Sequence, residues 1–436
     1  MDLTGPHSFG PGEVHKPGTA SIGPAAVVFH HGVGETMRTI VVLFTRDLRI
    51  RDNPALALAS RHADTVVPLY VADDSPPLPP NQRRFLVESL TDLRESLRRL
   101  GGDLLVRRGD PVEQTLKLCR LLATDGIGMA EDYGPAARRL RQRLAEAAEA
   151  ERVGLRLFPG VTIVEPGAVR PTTGADHYKV FTPYLRSWSA TPWRPEHEAP
   201  QAIRLPADVT GDDPASVIGP VEGGSSDVVD GGETAGLRRW DSWIDREPDY
   251  PAIHDDLAAD DTTRLSGYLR FGCVSPLVVA ADPRTPEALV RQLCWRDFYH
   301  QVLHGFPRLA TDNYRPGARD AWVDDEPALR AWQDGETGVP LVDAGMRQLR
   351  TQGWMHNRAR MVAASYLTKD LGIDWRHGAA WFDRWLVDAD VANNYGNWQW
   401  TAGTGNDSRP YRRFNPARQA QRYDPRHEYR DRWLRN

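Results

Sequence analysis

At 436 residues the chain exceeds one ordinary hydrophobic core, so two domains are expected. It contains no run of eighteen apolar residues and no recognisable signal peptide, which predicts a soluble, cytoplasmic protein with no membrane partner; a monomer is expected. Three scattered cysteines (Cys119, Cys273, Cys294) exclude a disulfide framework and a four-thiolate iron–sulfur site, and the net charge of −5 argues, taken whole, against a nucleic-acid partner.

In chain order, residues 1–36 are rich in Gly, Pro and His without periodicity, and Met37 directly precedes the first strand-like run. They read as a disordered extension or a misassigned start. From 37 to 165, the strand-like runs TIVVLF, TVVPLYVA, DLLVRRG and LRLFPGV alternate with helical stretches that include 83–100 and 135–152. That alternation predicts a parallel, doubly wound sheet. No G-x-G-x-x-G opens the first helix, so a dinucleotide fingerprint is absent. Residues 166–236 read as an interdomain linker, most plainly over 206–233, which is acidic and rich in Gly, Pro and Ser. Over 237–436 the helical period dominates, with stops at Gly272, Gly305, Gly353 and Gly372. The expected architecture is an α/β domain, a long linker wrapping the surface, and an all-α domain.

The charge is unevenly distributed. Residues 261–436 hold 25 Lys and Arg against 21 Asp and Glu, whereas the first 260 carry 29 against 38. The last 28 residues contain nine Arg and three acids. A basic surface on one domain is the electrostatic footprint of phosphate binding, whatever the total. Tryptophan is segregated too, with twelve of the fourteen at or after Trp240.

Residues 385–400, WLVDADVANNYGNWQW, are the most informative segment. They set Asp388, Asp390, Asn393, Asn394, Trp398 and Trp400 close together. A core helix repeats aliphatic residues and seldom buries Asp or Asn unpaired. The mixture fits the wall of a pocket for a large polar aromatic cofactor, with carboxylates and amides on its edges and indoles near enough to exchange electrons. Upstream, Thr262, Thr263 and Ser266 offer hydroxyls and a helix start that suit phosphate.

These residues resemble the flavin-binding signature of the photolyase/cryptochrome family, most like its bacterial class I cyclobutane-dimer branch. Further matches follow in order: TTRLSGYLRFGCVS (262–275) is similar to the family's phosphate-binding segment, QLCWRDFYH (292–300) to ELxWREFY, and GWMHNRARM (353–361) to WMHNRxRM. VVLFTRDLRIRDNPAL (41–56) resembles the family's opening strand and turn. The resemblance runs from about residue 38 to 434. It implies an FAD-binding helical domain and an α/β domain that helps hold an antenna, 8-hydroxy-5-deazaflavin or methenyltetrahydrofolate. Asn81, Arg83, Arg84 and Phe85, at a helix start after a Pro-rich loop, are candidates to face that antenna.

The resemblance assigns Tyr250, Thr262, Thr263, Arg264, Leu265, Ser266, Asn357, Asp388, Ala389, Asp390 and Asn394 to the flavin, with Arg358 lining the same pocket. Asn394 matches the position facing flavin N5, where a neutral amide supplies no ready proton. Trp398, Trp375 and Trp322 match three indoles that relay electrons to the flavin. On the DNA side it implies Gln292, Trp295, Arg296, Tyr299, Asn357, Arg358, Met361, Trp400 and Gln419, with Trp295 and Trp400 stacking on a flipped-out pyrimidine dimer. The implied activity is light-dependent repair of UV-damaged DNA, in which excited FADH⁻ lends the dimer an electron. A cryptochrome-like blue-light photoreceptor is the alternative.

Three departures bear on that choice. Gln292 stands where dimer enzymes usually carry Glu, as it does in the (6-4) and animal cryptochrome branches, although MHNRARM lacks the His pair of those branches. His254 replaces a usual DNA-contacting Arg, and the chain stops at Asn436, short of a family segment that continues R-x-W-x-P-E-L. These predict working but less efficient repair and a less protected flavin site.

Overall fold

The computed structural model describes residues 37–73, 77–259, 261–407 and 409–435, so the expectation for 1–36 lies outside the described residues. Five parallel strands, β1 (Met37–Phe44), β2 (Ala63–Ala72), β3 (Leu105–Arg108), β4 (Gly126–Ala130) and β5 (Gly154–Phe158), form one sheet in the order β3-β2-β1-β4-β5. β1 is central, with Ile40 opposite Val66 on one side and Gly126 on the other. Because side chains alternate along a strand, its apolar run feeds two cores. Ile40, Val42 and Phe44 point into the core shared with the rest of the protein, while Val41 and Leu43 point to the outer helices.

β4 is the strand that sequence reading missed. Its residues, GIGMA, place two glycines in five, which weakens the strand signal, yet the run is wholly buried. The helices Pro54–His62, Pro80–Arg99, Pro111–Leu122 and Pro135–Ala150 all carry proline in the first turn, where its missing N–H costs nothing.

Residues 166–236 are bound to the sheet domain more tightly than a loose wrapping would be. The Ile203 N–H donates to Leu100 O at 2.7 Å and the Asp212 N–H to Leu104 O at 3.0 Å. The helix Phe181–Ala190 buries Trp188, whose indole N–H donates to Asp297 at 3.0 Å. Beyond it the chain is helical, with a second core around Trp332, Met346, Leu367, Trp375 and Phe382. Among the described residues no helix is long and apolar enough to cross a membrane.

The two halves meet through backbone contacts. Gln82 donates to Asp383 O at 2.9 Å and to Leu386 O at 3.2 Å, and Asn81 to Trp385 O at 2.6 Å. Gly272, at φ +69°, lies so close to the turn after β1 that a Cβ would sit 1.9 Å from Arg46 O. Only glycine fits there, and the fit brings Arg46 to the helical half.

Candidate flavin and DNA site

A cavity of about 470 Å³ opens in the helical domain, within the size range of small-molecule sites. Its walls come from helical faces read at helical spacing. Gln292, Trp295, Arg296 and Tyr299 share one stripe of the helix Glu287–Gly305, and Asn357, Arg360, Met361 and Ala364 share one stripe of Asn357–Ser365. The 385–400 segment closes the cavity. After Asp388 and Asp390 it makes a single π-helical turn, Val391–Tyr395, that runs into the helix Gly396–Ala402. Asp390 caps that turn, accepting from the Asn393 N–H at 2.7 Å. Such wide turns recur at functional sites because they redirect side chains within a helix.

The two carboxylates are held differently. Asp388 pairs bidentately with Arg360, at 3.0 and 2.8 Å. Asp390 is met by Arg46, 344 positions upstream, at 3.2 Å, and Arg46 also reaches Asp132 at 3.2 Å. Burial pushes the Asp390 carboxyl up, but the Arg46 and Arg296 guanidiniums and the Asn393 N–H more than reverse that and hold it well below the usual carboxylate range. Burial, aided by the charge of Arg296, pushes His300 down to about 3, so its imidazole is neutral. Burial lowers Arg270 to about 10, which leaves it a cation, and its Nε–H donates to Ala389 O at 2.7 Å.

Most predicted residues open onto this cavity: Tyr250, Thr263, Leu265, Ser266, Gln292, Trp295, Arg296, Tyr299, Asn357, Met361, Asp388, Ala389, Asp390, Asn394, Trp398 and Trp400. Others lie apart from it. Arg358 faces the other side of its helix, pairing with Asp255 at 2.6 Å and lying over the Tyr423 ring, and Gln419 accepts from it at 3.5 Å. Arg264, at φ +50°, points its guanidinium to Gln352 at 3.2 Å and over Trp354. Thr262 does not reach the wall, and its buried hydroxyl finds no protein partner. Arg296 and Tyr299 sit on the floor, 9% and 2% exposed, and Arg296 donates to Val161 O and Leu269 O. Those ties leave Arg296 joining elements of the protein rather than reaching outward.

Asn81, Arg83, Arg84 and Phe85 are engaged by partners within the protein. Asn81 bonds Ser225 and Trp385, Arg83 the Ile218 carbonyl and Arg84 Glu88, while Phe85 packs on Tyr268 and Phe271. That end of the helix is an interdomain joint. The Arg-rich terminus is also partly neutralised: Arg413 pairs with Asp370, Arg430 with Asp424 at 2.8 Å and Arg435 with Asp431 at 2.8 Å.

The three indoles span a range of depth. Trp398 lies in the cavity wall, Trp375 is 0% exposed and Trp322 is half-buried, all against one core. At the mouth, Gln292 is exposed, Trp295 stacks on Phe181 at 3.6 Å, and the Trp400 ring has Phe414 and Arg412 as neighbours.

The residues fit FAD. Hydroxyls and a helix start at Thr263 and Ser266 suit phosphates, the carboxylates and amides suit polar ring and sugar edges, and Leu269, Leu293, Phe382 and Leu386 supply the apolar wall. Family models agree: residues 40–203 match "DNA photolyase" and residues 289–436 match "FAD binding domain of DNA photolyase". The chain belongs to the DNA photolyase family. It is 46% identical to the deoxyribodipyrimidine photo-lyase of Streptomyces griseus, over 91% of this chain and 90% of that protein. It is 37% identical to the cryptochrome DASH of Natronomonas pharaonis, with 91% and 90% covered. The crystal structure of a class III photolyase from Agrobacterium tumefaciens superposes with a TM-score of 0.85 at 32% identity, covering 93% of this chain and 88% of that one. Sequence reading overlooked Arg46, Arg270, His300 and Arg360, which meet Asp390, the Ala389 carbonyl, Asp390 and Asp388 respectively. Helical period alone points to Arg360, since 357, 360, 361 and 364 share a face that 358 does not.

Proposed function

We propose that this protein repairs cyclobutane pyrimidine dimers in DNA by light-driven electron transfer from bound, reduced FAD. The observation that carries the reading is one cavity with two kinds of wall. Its interior bears Asp388, Asp390, Asn394 and Trp398, and its mouth bears Gln292, Trp295, Met361 and Trp400. A flavin held inside would then adjoin a dimer of two adjacent bases flipped into the mouth. When bound, the reduced flavin supplies the photoexcited electron that opens the cyclobutane ring and receives it back.

The chain's own residues bind and orient. Tyr250, Thr263, Ser266, Asn357, Asp388 and Asp390 hold the cofactor, and Trp295 and Trp400 offer aromatic faces to the extruded dimer. Gln292 hydrogen-bonds a thymine carbonyl or imide. Trp398, Trp375 and Trp322 return the flavin to its reduced state. A photoreceptor reading is favoured by one observation, the amide of Gln292 at the mouth in place of a carboxylic acid.

The test is illumination of reduced, FAD-loaded protein with a thymine-dimer oligonucleotide, with a dark control and a (6-4) substrate alongside. Light-dependent restoration of the cyclobutane substrate alone is expected. Bound and photoreduced flavin with neither lesion repaired would transfer the assignment to the photoreceptor.

A further inference from the structure

Behind the cavity wall lies a hydrogen-bonded pair that the repair reading does not use. The Tyr395 hydroxyl donates to Asp383 Oδ2 at 2.6 Å, and Asp383 Oδ1 accepts from the Asn394 amide at 2.8 Å. The Tyr395 ring meets the Trp375 ring edge-on, with centroids 6.3 Å apart and planes at 82°. We propose that Tyr395, with Asp383 as its proton acceptor, is a redox-active tyrosine that takes the oxidising equivalent from Trp375. This rests on the reading of Trp375 as an electron relay.

The step balances as a one-electron transfer. When Trp375 has given an electron towards the flavin it is an indole radical cation. One electron then passes from Tyr395 to Trp375, the phenolic proton moves to Asp383, and the products are neutral Trp375, a neutral Tyr395 radical and a protonated Asp383. A phenol is readily oxidised at neutral pH only if its proton leaves with the electron, because Tyr–OH ordinarily holds that proton to about pH 10. A carboxylate already on the hydroxyl meets this need, and burial raises Asp383 above the ordinary range, which makes it a stronger base.

The surroundings of Trp375 push the same way. The Arg376 guanidinium lies 4.7 Å from its ring, an attraction for a neutral indole that becomes repulsion once the ring is positive, although Asp374 at 3.0 Å offsets part of that charge. Its indole N–H donates to the neutral amide of Asn313 at 3.1 Å, a poor proton acceptor. Trp322 likewise sits under Arg319, at 4.9 Å. Neither indole has a proton acceptor that would neutralise a positive ring, since Asn313 is the hydrogen-bond partner of Trp375 and the Trp322 N–H has none among the described residues, whereas Tyr395 ends as a neutral radical beside a neutral acid.

The experiment is transient absorption and light-induced electron paramagnetic resonance on the FAD-loaded protein. Wild type should show indole radical decaying into a tyrosyl signal. Tyr395→Phe should lose the tyrosyl signal and prolong the indole radical, and Asp383→Asn should do the same with the phenol present. Trp375→Phe should lose the tyrosyl signal as well. A tyrosyl signal that survives Tyr395→Phe, or indole radicals in wild type with no tyrosyl, overturns the proposal. Neither radical in wild type overturns the relay and the proposal together, while repair by chemically pre-reduced protein separately decides the repair reading.

Discussion

Arg46→Met should be among the most damaging single changes to the architecture of the site. Arg46 ties two buried carboxylates at once, Asp390 of the cavity wall and Asp132 of the sheet domain, and its Nε–H donates to Arg270 O at 3.0 Å. The three side chains are 19%, 5% and 10% exposed, so water replaces little of what is lost. Removing one partner of a buried ion pair costs about 3–5 kcal/mol because the other charge is stranded. Asp390 keeps hydrogen bonds from the Asn393 backbone and amide, at 2.7 to 3.2 Å, which argues for the lower end, about 3 kcal/mol. Both halves share one core, so the unfolding unit is the whole described chain, and at about 2.1 cal/mol/K per residue that is a fall in Tm of roughly 3–4 °C.

The pH dependence gives the sharper test. In the wild type the Asp390 carboxyl is depressed, so its contribution is fully present above the unfolded carboxylate value of about 3.9 and is lost only as pH falls through the lower folded value. In Arg46→Met both orphaned carboxyls rise, and protonation relieves them as the pH falls. Urea unfolding at pH 8 and pH 5 should therefore show a gap between wild type and variant that narrows towards pH 5. A loss below about 1 kcal/mol, typical of an exposed pair, or a gap that does not narrow, would refute the argument.

Trp398→Phe should abolish photoreduction of oxidised flavin yet leave repair by pre-reduced protein intact; loss of both would place Trp398 in the substrate site or the core. Gln292→Glu should raise repair per photon, and an unchanged or lower yield would remove any role for a carboxylic proton there. Glu233 accepts the Ile50 and Arg51 N–H groups at 2.7 and 2.9 Å, and burial pushes it up to about 7. Its contribution is full below the unfolded value and lost as pH rises towards 7, roughly 3 kcal/mol in all, so Glu233→Gln should flatten stability between pH 5 and 8 in urea titrations. Repair by pre-reduced protein, measured per photon, should be flat from pH 6 to 9; an inflection near 7 would expose an acid or base in the wall.

How much of this was legible in the sequence depended on distance along the chain. The sheet was readable because β1 and β2 are long apolar runs, whereas β4 is five residues with two glycines and is defined by its neighbours. The cavity's own segment was readable because Asp388 to Trp400 sit together. The partner of Asp390 was not: its cation comes from position 46, and nothing local to either residue records the pairing. Arg358 and Arg360 look equivalent in GWMHNRARM, yet one residue in two along a helix turns through about 200°, and only Arg360 meets the cavity. The helix start at Asn81 looked like a ligand contact because its polar side chains are the same ones that join two domains through backbone carbonyls.

The protonation states in the wall bear on what chemistry the cavity is built for. Asp390 is ionised, Asp388 is bound bidentately by Arg360, Arg270 stays charged, and burial raises Tyr250 to about 12. His300, which touches Asp390 from behind, is neutral and out of the wall. Asn394 gives both N–H groups away, to Ala379 O at 3.0 Å and Asp383 at 2.8 Å, which leaves its carbonyl oxygen as the hydrogen-bonding group still free. That oxygen accepts a hydrogen bond and has no proton to give. General acid–base catalysis needs a group that titrates near the working pH, and each of these is held well away from it or committed to a partner. A wall of fixed charges and amide acceptors suits a repair step in which an electron moves and protons stay where they are.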